Sequence, residues 1–174
     1  MDVNIAPGTS KKINPDNTTL IVVNRNMELD KEIQSKFESD YQKVVVNIVY
    51  TYNWITSIVK KRLGKHHVTM QQYNILRILR GQYPNPATIN LLKERMLDKM
   101  SDASRIVDRL IQKGLVSRNI NKKDRRAVDI IITAKGLEVL KNLDPVITPD
   151  DILRANIGQD EVAALNALLD KLRG

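Results

Sequence analysis

The sequence predicts a mainly α-helical fold that contains one two-stranded β-hairpin. Over most of the chain, apolar residues recur every three or four positions, which places them along one face of a helix. Between residues 115 and 133 the period falls toward two, the spacing of side chains on one face of a strand. Capping residues, glycines and prolines separate the helical stretches and mark where each one begins and ends.

Composition narrows the class of protein. The chain has 174 residues, of which 42% are hydrophobic, enough for one domain with a real core. It has no cysteine, which excludes disulfides, thiolate metal sites and cysteine redox switches. No apolar run approaches the roughly eighteen residues of a membrane span, and the first residues lack the apolar core of a signal peptide. We therefore expect a cytoplasmic protein that has no membrane partner.

The sequence contains no motif typical of an enzyme. His66 and His67 are the only histidines, and they lie next to each other in a predicted turn. Two adjacent histidines do not supply a dispersed catalytic set, and they are too few for a metal site. We expect no catalytic residues, no metal and no cofactor.

The net charge of +8 is concentrated in one part of the chain. Residues 65–135 contain fifteen Lys and Arg against six Asp and Glu, a net charge of +9. The rest of the chain has thirteen basic and fourteen acidic residues, a net charge of −1. This segregation favours a polyanionic partner for the central block, although a solvated basic surface would also account for charge alone.

The first residues of the chain are polar, whereas the first and last predicted helices have long apolar faces. Residues 1–29 are expected to form a flexible tail, because they are polar and contain two prolines. From Asp30 a stripe with steps of three and four predicts one helix of about thirty residues, and a last helix follows a loop at Pro149. Since these apolar faces exceed what a small core needs, regions 30–63 and 134–174 are expected to be dimerisation helices. The first stripe consists of Ile33, Phe37, Tyr41, Val44, Ile48, Tyr52, Ile55 and Val59, and the last of Val162, Leu165, Leu168, Leu169 and Leu172.

Three shorter helices precede the hairpin. Thr69 is the predicted N-cap of the first, which ends in the proline-containing segment 80–86. The second covers about residues 87–96. The third follows Ser101, its predicted N-cap, and ends at Gly114, which supplies a left-handed C-cap. Its buried stripe is Ala103, Ile106, Val107, Leu110 and Ile111, and its opposite face shows Asp102, Arg105, Asp108, Arg109 and Gln112.

The hairpin concentrates charge at its tip. The predicted strands "LVSRNI" and "AVDIIIT" flank "NKKDRR", in which five consecutive charged residues give a net charge of +3. Like charges this close repel one another in the free protein. They become favourable beside phosphates or in a narrow minor groove. Thr133 is then the predicted N-cap of another helix, which Pro145 ends.

The order of the elements is typical of a winged helix-turn-helix over residues 65–133. In that fold the capped third helix fits the DNA major groove and the two strands form the wing. A second class of protein is also compatible with the order: a winged-helix module that binds proteins without sequence-specific DNA contacts. Arg105, Arg109 and the charged tip favour DNA.

One string runs from the third helix through the hairpin: "SDASRIVDRLIQKGLVSRNINKKDRRAVDIIITAKG". Together with "VTMQQYNILRIL" before it, this string resembles the multiple-antibiotic-resistance regulator (MarR) family of bacterial transcription factors, over about residues 30–173. The resemblance implies a homodimer with interleaved terminal helices, bound to a pseudo-palindromic operator. It also implies, for many members, repression that is relieved by a small ligand, often aromatic or phenolic.

The resemblance assigns roles to individual residues. Arg126 matches a wing arginine that enters the minor groove, and Asp124 matches its orienting partner, although Asp124 is also a common turn former. Arg118 is expected at the DNA backbone or at Asp124, and Ser101 either at DNA or only as a cap. Ser104 and Arg105 are the strongest candidates for contacts to bases or phosphates. The predicted DNA-binding residues are Ser101, Asp102, Ala103, Ser104, Arg105, Arg109, Arg118, Lys122, Lys123, Asp124, Arg125 and Arg126.

Four aromatic residues in the first two helices are candidates for a ligand pocket: Tyr50, Tyr52, Trp54 and Tyr73. At helical spacing, aromatic side chains are also common in a core or at an interface. Both interpretations stay open at the level of sequence.

Overall fold

The computed structural model of the chain describes residues 28–34, 36–121 and 128–174. These residues are mainly α-helical and include one antiparallel sheet of two strands, as the sequence predicts. The predicted tail, apart from its last two residues, and the charged tip at 122–127 lie outside the described residues. The elements are α1 (Leu29–Glu32), α2 (Asp40–Gly64), α3 (Met70–Gln82), α4 (Ile89–Arg95), α5 (Ala103–Gln112), β1 (Val116–Ile120), β2 (Val128–Ile132), α6 (Ala134–Leu143), α7 (Pro149–Leu153) and α8 (Gln159–Arg173).

The chain divides into two compact units. One contains the described residues up to Thr51 together with those of 149–174, and the other contains the described residues of 52–148. The first unit holds α1, the beginning of α2, α7 and α8, whereas the second holds the end of α2 and everything from α3 to α6.

The prediction of one helix of about thirty residues from Asp30 is wrong at its start. α1 ends at Glu32, and Gln34 has a φ of +49°, which a right-handed helix does not accommodate. α2 begins at Asp40, where the Ser39 hydroxyl accepts a hydrogen bond from the Gln42 amide at 3.2 Å. A serine side chain that binds a free backbone amide favours a helix start over continuation of the preceding helix.

The predicted loop at Pro149 also differs from the structure, because residues 149–153 form the short helix α7. A proline is well tolerated at the first position of a helix, since the amide it lacks has no helical partner there. The predicted final helix is confirmed as α8.

Side-chain caps fix the helix starts of the second unit. The Thr69 hydroxyl accepts from the Gln72 amide, and the Gln72 side chain accepts from the Thr69 amide, both at 3.2 Å. This reciprocal pair is a capping box. Thr133 caps α6 by accepting from the Gly136 amide at 3.1 Å. Both predicted caps are confirmed.

β2 is hydrogen-bonded to β1 on one edge and to the segment before α4 on the other. β1 and β2 pair from Val116 opposite Ile132 to Ile120 opposite Val128. Ala87, just before α4, adds a bridge to the other edge of β2: its amide and its carbonyl each form a 2.9 Å hydrogen bond with Ile130. β2 is therefore paired along both edges at its middle residue, Ile130.

One continuous apolar core holds the second unit together. Each large apolar side chain removed from water contributes roughly 1.5–3 kcal/mol. The predicted buried faces of α3 and α5 are confirmed, with Met70, Ile106 and Ile111 half-buried at the edge. Core residues from the successive elements include Tyr73, Ile75, Leu76 and Leu79, then Leu92, Ala103, Val107 and Leu110, then Val116, Ile130, Ile132, Leu140 and Leu143.

Gly136 allows α6 to approach the hairpin closely. A Cβ at this position would lie 2.3 Å from the Leu115 carbonyl oxygen and 2.7 Å from the Ile132 Cγ1 atom. Only glycine fits there without a backbone shift. This packing explains why a glycine lies three residues after Thr133.

Candidate nucleic-acid interface

Helix α5 begins one residue later than predicted. The Asp102 carboxylate accepts hydrogen bonds from the amides of Ser104 at 3.0 Å and Arg105 at 3.2 Å, so Asp102 is the N-cap. The Ser101 hydroxyl instead donates to the Asp98 carboxylate at 2.6 Å. Prediction of Ser101 as the cap is wrong because the carboxylate at 102 reaches two free amides and its negative charge suits a helix N-terminus.

The two faces of α5 are chemically distinct. Ala103, Val107 and Leu110 are buried in the core. The exposed side carries Arg105 and Arg109, one turn apart, so their guanidinium groups leave the helix in similar directions. Asp102, Asp108 and Gln112 are exposed as well, and Ser104 is half-buried.

Ala103 needs a correction as a candidate for DNA contact. Its side chain is fully buried in the core, so it orients the helix by packing and is not available to a ligand. Ser101, Asp102, Ser104, Arg105 and Arg109 remain candidates, because none of them is buried.

Backbone and side-chain hydrogen bonds fix the C-terminal end of α5. Gly114 has a φ of +71°, which confirms the predicted left-handed position. The Leu115 amide donates to the Leu110 carbonyl at 3.0 Å and the Gly114 amide to the Ile111 carbonyl at 2.8 Å, the pattern of a Schellman motif. The Lys113 ammonium reaches across to α3, donating to the His67 carbonyl at 2.6 Å and to the Gln72 side chain at 3.1 Å.

A contact between helix and wing was not expected from the sequence. The Arg118 guanidinium on β1 forms an ion pair with the Asp108 carboxylate on α5 at 2.8 Å. The sequence suggested the DNA backbone or Asp124 for Arg118. The signal for the observed partner was an acidic residue, Asp108, on the exposed face of the helix that precedes β1.

Beyond the middle of the hairpin, the Asn121 side-chain amide donates to the Asp129 carboxylate at 2.8 Å, across the strands. The tip residues Lys122, Lys123, Asp124, Arg125 and Arg126 lie outside the described residues. Their roles stay predictions.

The turn between α4 and α5 is another feature that sequence analysis missed. Asn74 on α3 accepts a hydrogen bond from the Leu97 amide at 3.1 Å, and Asp98 accepts from the Met100 amide at 3.1 Å. The Ser101 hydroxyl, followed by the Met100 amide, lowers the pKa of Asp98, because these donors stabilise its charged form. A carboxylate followed by serine three residues later was a local signal for such a turn.

The four aromatic candidates for a ligand pocket have different environments. In the second unit Tyr73 is buried in the core, with the Arg77 guanidinium 5.8 Å from its ring centre, whereas Tyr52 is exposed and Trp54 is half-buried. In the first unit Tyr50 lies with its hydroxyl 3.4 Å from the Glu32 carboxylate. Their role as ligand contacts stays a prediction.

The described residues 28–34, 36–121 and 128–174 hold neither a metal-binding cluster nor a membrane-spanning helix. Among those residues, the side chains of His, Asp and Glu do not gather into a group that could bind a metal ion. Within the same residues, every helix is too short or too polar to cross a membrane.

The fold and the exposed face of α5 define a winged helix-turn-helix protein. The profile of the MarR family matches residues 68–128, which include α3, α4, α5 and β1. Over this segment the chain is similar to the MarR family.

Comparison with individual proteins agrees with this assignment. The HTH-type transcriptional repressor MdtR of Bacillus subtilis (strain 168) is 28% identical over 109 residues, which cover 63% of this chain and 62% of MdtR. The match therefore spans less than two thirds of that relative's length. Wild-type apo MarR from E. coli has a TM-score of 0.58 at 26% identity, covering 72% of this chain and 94% of MarR.

A cysteine-to-serine mutant of E. coli MarR, solved in complex with operator DNA, has a TM-score of 0.64. The alignment covers 84% of this chain and 99% of the mutant, at 24% identity. At that identity the likeness concerns the fold.

Proposed function

We propose that the protein is a DNA-binding transcriptional regulator, a homodimeric repressor of a pseudo-palindromic operator. The observation that carries the proposal is the exposed face of α5, where Arg105 and Arg109 lie one turn apart behind a capped N-terminus. The helix enters a major groove, and the wing at residues 115–133 reaches the adjacent minor groove. The names of similar proteins support this function: MdtR is a repressor, and the MarR mutant was solved with operator DNA.

Charge supports the same function. The central block 65–135 has a net charge of +9, against −1 for the rest of the chain. A duplex presents about one phosphate charge per 1.7 Å of its axis. The attraction therefore acts on one region of the chain, the region that also carries the recognition helix and the wing.

The homodimer is supported by apolar side chains that stay in water on helices of the first unit. In α8, all of which the structure describes, no residue is buried. Exposed apolar surface costs about 25 cal/mol per Å², so a second copy that covers these faces stabilises both subunits. Two copies also match two half-sites about 10 bp apart. The exposed residues are Tyr41, Val44, Val45, Ile48 and Val49 on α2, and Leu165, Leu168 and Leu172 on α8.

Relief of repression by a small aromatic ligand belongs to the proposal because of the resemblance to the MarR family. The proposal also includes a cytoplasmic location, because the operator DNA is there, and the absence of catalytic activity. A thermal-shift screen with aromatic acids and phenols tests the first of these, because a ligand that binds only the folded protein raises its Tm.

Fluorescence anisotropy with the DNA upstream of the protein's own gene tests the function directly. A random duplex of equal length is the control. We expect tighter binding to the upstream fragment and a steep fall with salt, as for roughly 6–10 phosphate contacts in a dimer. Equal affinity for the two duplexes, or a flat salt response, would contradict the proposal.

Sedimentation tests the dimer separately. We expect a dimer for the native chain and a monomer for Leu168→Glu, which places a charge on the apolar face of α8. A native monomer would contradict this part of the proposal. The second candidate, a winged-helix module for protein contacts, predicts no binding to the upstream fragment and tolerance of charge loss at Arg105 and Arg109.

A further inference from the structure

The turn between α4 and α5 presents two large apolar side chains to solvent. Met100 is 94% exposed and Leu97 is 87% exposed. Single exposed apolar side chains are common on protein surfaces and need no explanation by themselves. The position of Met100 and the way in which its backbone is held distinguish it from such residues.

Contacts on several sides hold the turn. Met96 is buried in the core, and the Leu97 amide donates to Asn74 on α3 at 3.1 Å. The Lys99 ammonium donates to the carbonyls of Lys93, at 3.4 Å, and Glu94 at the end of α4. These contacts fix the backbone of the turn relative to both α3 and α4.

Met100 itself is held next to the recognition helix. Its amide donates to the Asp98 carboxylate at 3.1 Å, and Ser101 donates to the same group at 2.6 Å. Met100 lies two residues before Asp102, the N-cap of α5. Its side chain is thus an exposed apolar group on a fixed backbone at the N-terminal end of α5, the end that contacts base edges in a helix-turn-helix.

Met100 lies inside the central block 65–135, whose net charge is +9. In its immediate neighbourhood, residues 93–105, four exposed basic side chains outnumber three exposed acidic ones: Lys93, Arg95, Lys99 and Arg105 against Glu94, Asp98 and Asp102. A basic surface favours a polyanion over an apolar protein partner. On the major-groove edges of DNA bases, the apolar group is the C5-methyl of thymine.

We propose that Met100 contacts a thymine methyl group in each operator half-site and so helps to determine which sequence the protein binds. The proposal rests on the proposed function, since it needs a DNA-bound recognition helix. Methionine suits such a contact because its unbranched, flexible side chain adapts to the shape of its partner.

The experiment begins with duplexes that the native protein selects from a random library. Each thymine of a selected half-site is then replaced by deoxyuridine, which removes one methyl group and leaves base pairing unchanged. Affinities are measured for the native protein, Met100→Ala and Leu97→Ala. Leu97→Ala is the matched control, because it removes a similarly exposed apolar side chain from the same turn.

We expect one thymine whose replacement weakens native binding by about 3- to 10-fold, the loss of a small buried apolar contact. For Met100→Ala the same replacement should change affinity by less than about 2-fold, while Leu97→Ala should keep the native sensitivity. Since both side chains are exposed, neither variant should lose its fold, which circular dichroism checks.

Two results overturn the inference and leave the proposed function intact: every thymine replacement has equal effects on native protein and Met100→Ala, or the sensitivity disappears in Leu97→Ala instead. A protein that selects no duplex at all overturns the proposed function, and the assignment of Met100 with it.

Discussion

Arg118 on β1 and Asp108 on α5 form an ion pair of 2.8 Å, which joins a strand of the wing to the recognition helix. Both side chains are partly exposed, so water screens the pair and its contribution to folding is about 0–1 kcal/mol. The ion pair matters for geometry more than for stability. It connects α5 and the hairpin, the two elements that contact DNA in the proposed function, and restricts how the hairpin tilts against the helix.

The first prediction concerns this pair. We expect Asp108→Asn to lower the ratio of operator to random-duplex affinity by about 2- to 5-fold, the equivalent of up to ~1 kcal/mol. Loss of one negative charge by itself increases affinity for any DNA. A less restricted wing weakens only the operator complex, which needs a defined arrangement of helix and wing. Anisotropy with the two duplexes at one salt concentration measures the ratio.

A matched control is available in the first unit. Asp150 forms an ion pair of 2.6 Å with Arg154, four residues later, so Asp150→Asn removes the same charge without breaking a contact of the hairpin. The affinity ratio should stay at its native value in this variant. An unchanged ratio in Asp108→Asn as well would show that the pair has no orienting role.

The second prediction separates the two arginines of α5. Arg105 lies near the N-terminal end that enters the groove, so Arg105→Ala should cost about 1–3 kcal/mol of operator binding and relax specificity. Arg109 is one turn further on, and we expect Arg109→Ala to weaken binding to all sequences and to reduce the salt slope by about 1. Salt titrations on operator and random duplexes distinguish the two effects. Identical behaviour of both variants would contradict the assignment.

The third prediction tests the N-cap of α5. Asp102→Ala removes the acceptor for two helix amides and should lower the free energy of unfolding by about 0.5–2 kcal/mol. Asp102→Asn, which keeps a capping oxygen, should lose less. Urea unfolding of the DNA-free protein, with all variants at one concentration, measures both. A larger loss for Ser101→Ala than for Asp102→Ala would restore the cap predicted from the sequence.

The fourth prediction compares two glycines of the second unit. A Cβ at Gly136 meets the Leu115 backbone at 2.3 Å, so Gly136→Ala should destabilise the protein by about 1–3 kcal/mol through overpacking. At Gly81, near the end of α3, the same atom meets nothing within 4 Å. Gly81→Ala should therefore stabilise by about 0.5–1 kcal/mol, because alanine loses less backbone entropy in a helix. Thermal unfolding of the two variants should give shifts of opposite sign.

Local patterns of the sequence were sufficient to predict most elements of the second unit. The caps Thr69 and Thr133, the left-handed Gly114 and the buried faces of α3 and α5 depend on residues within one or two helical turns. Prediction failed where two local choices have similar energies. Ser101 and Asp102 are both good caps; in the structure Asp102 accepts from two helix amides, while the Ser101 hydroxyl donates to Asp98.

The break between α1 and α2 has the same origin. An apolar stripe passes through residues 33–40 and favours one helix, but Gln34 and Ser39 adopt conformations that end one helix and start another. Periodicity reports which face is apolar. It does not report whether the backbone hydrogen bonds continue from turn to turn.

By itself, the sequence determined the fold class, the resemblance to the MarR family and the concentration of positive charge in the central block, because helix period, capping and charge are properties of neighbouring residues. Only the tertiary structure decided that Asp108 is the partner of Arg118 and that Asn74 on α3 accepts the Leu97 amide in the turn before α5. Each of these contacts joins residues of different elements. Tertiary packing determines those contacts, and they cannot be predicted from the spacing of residues within one segment.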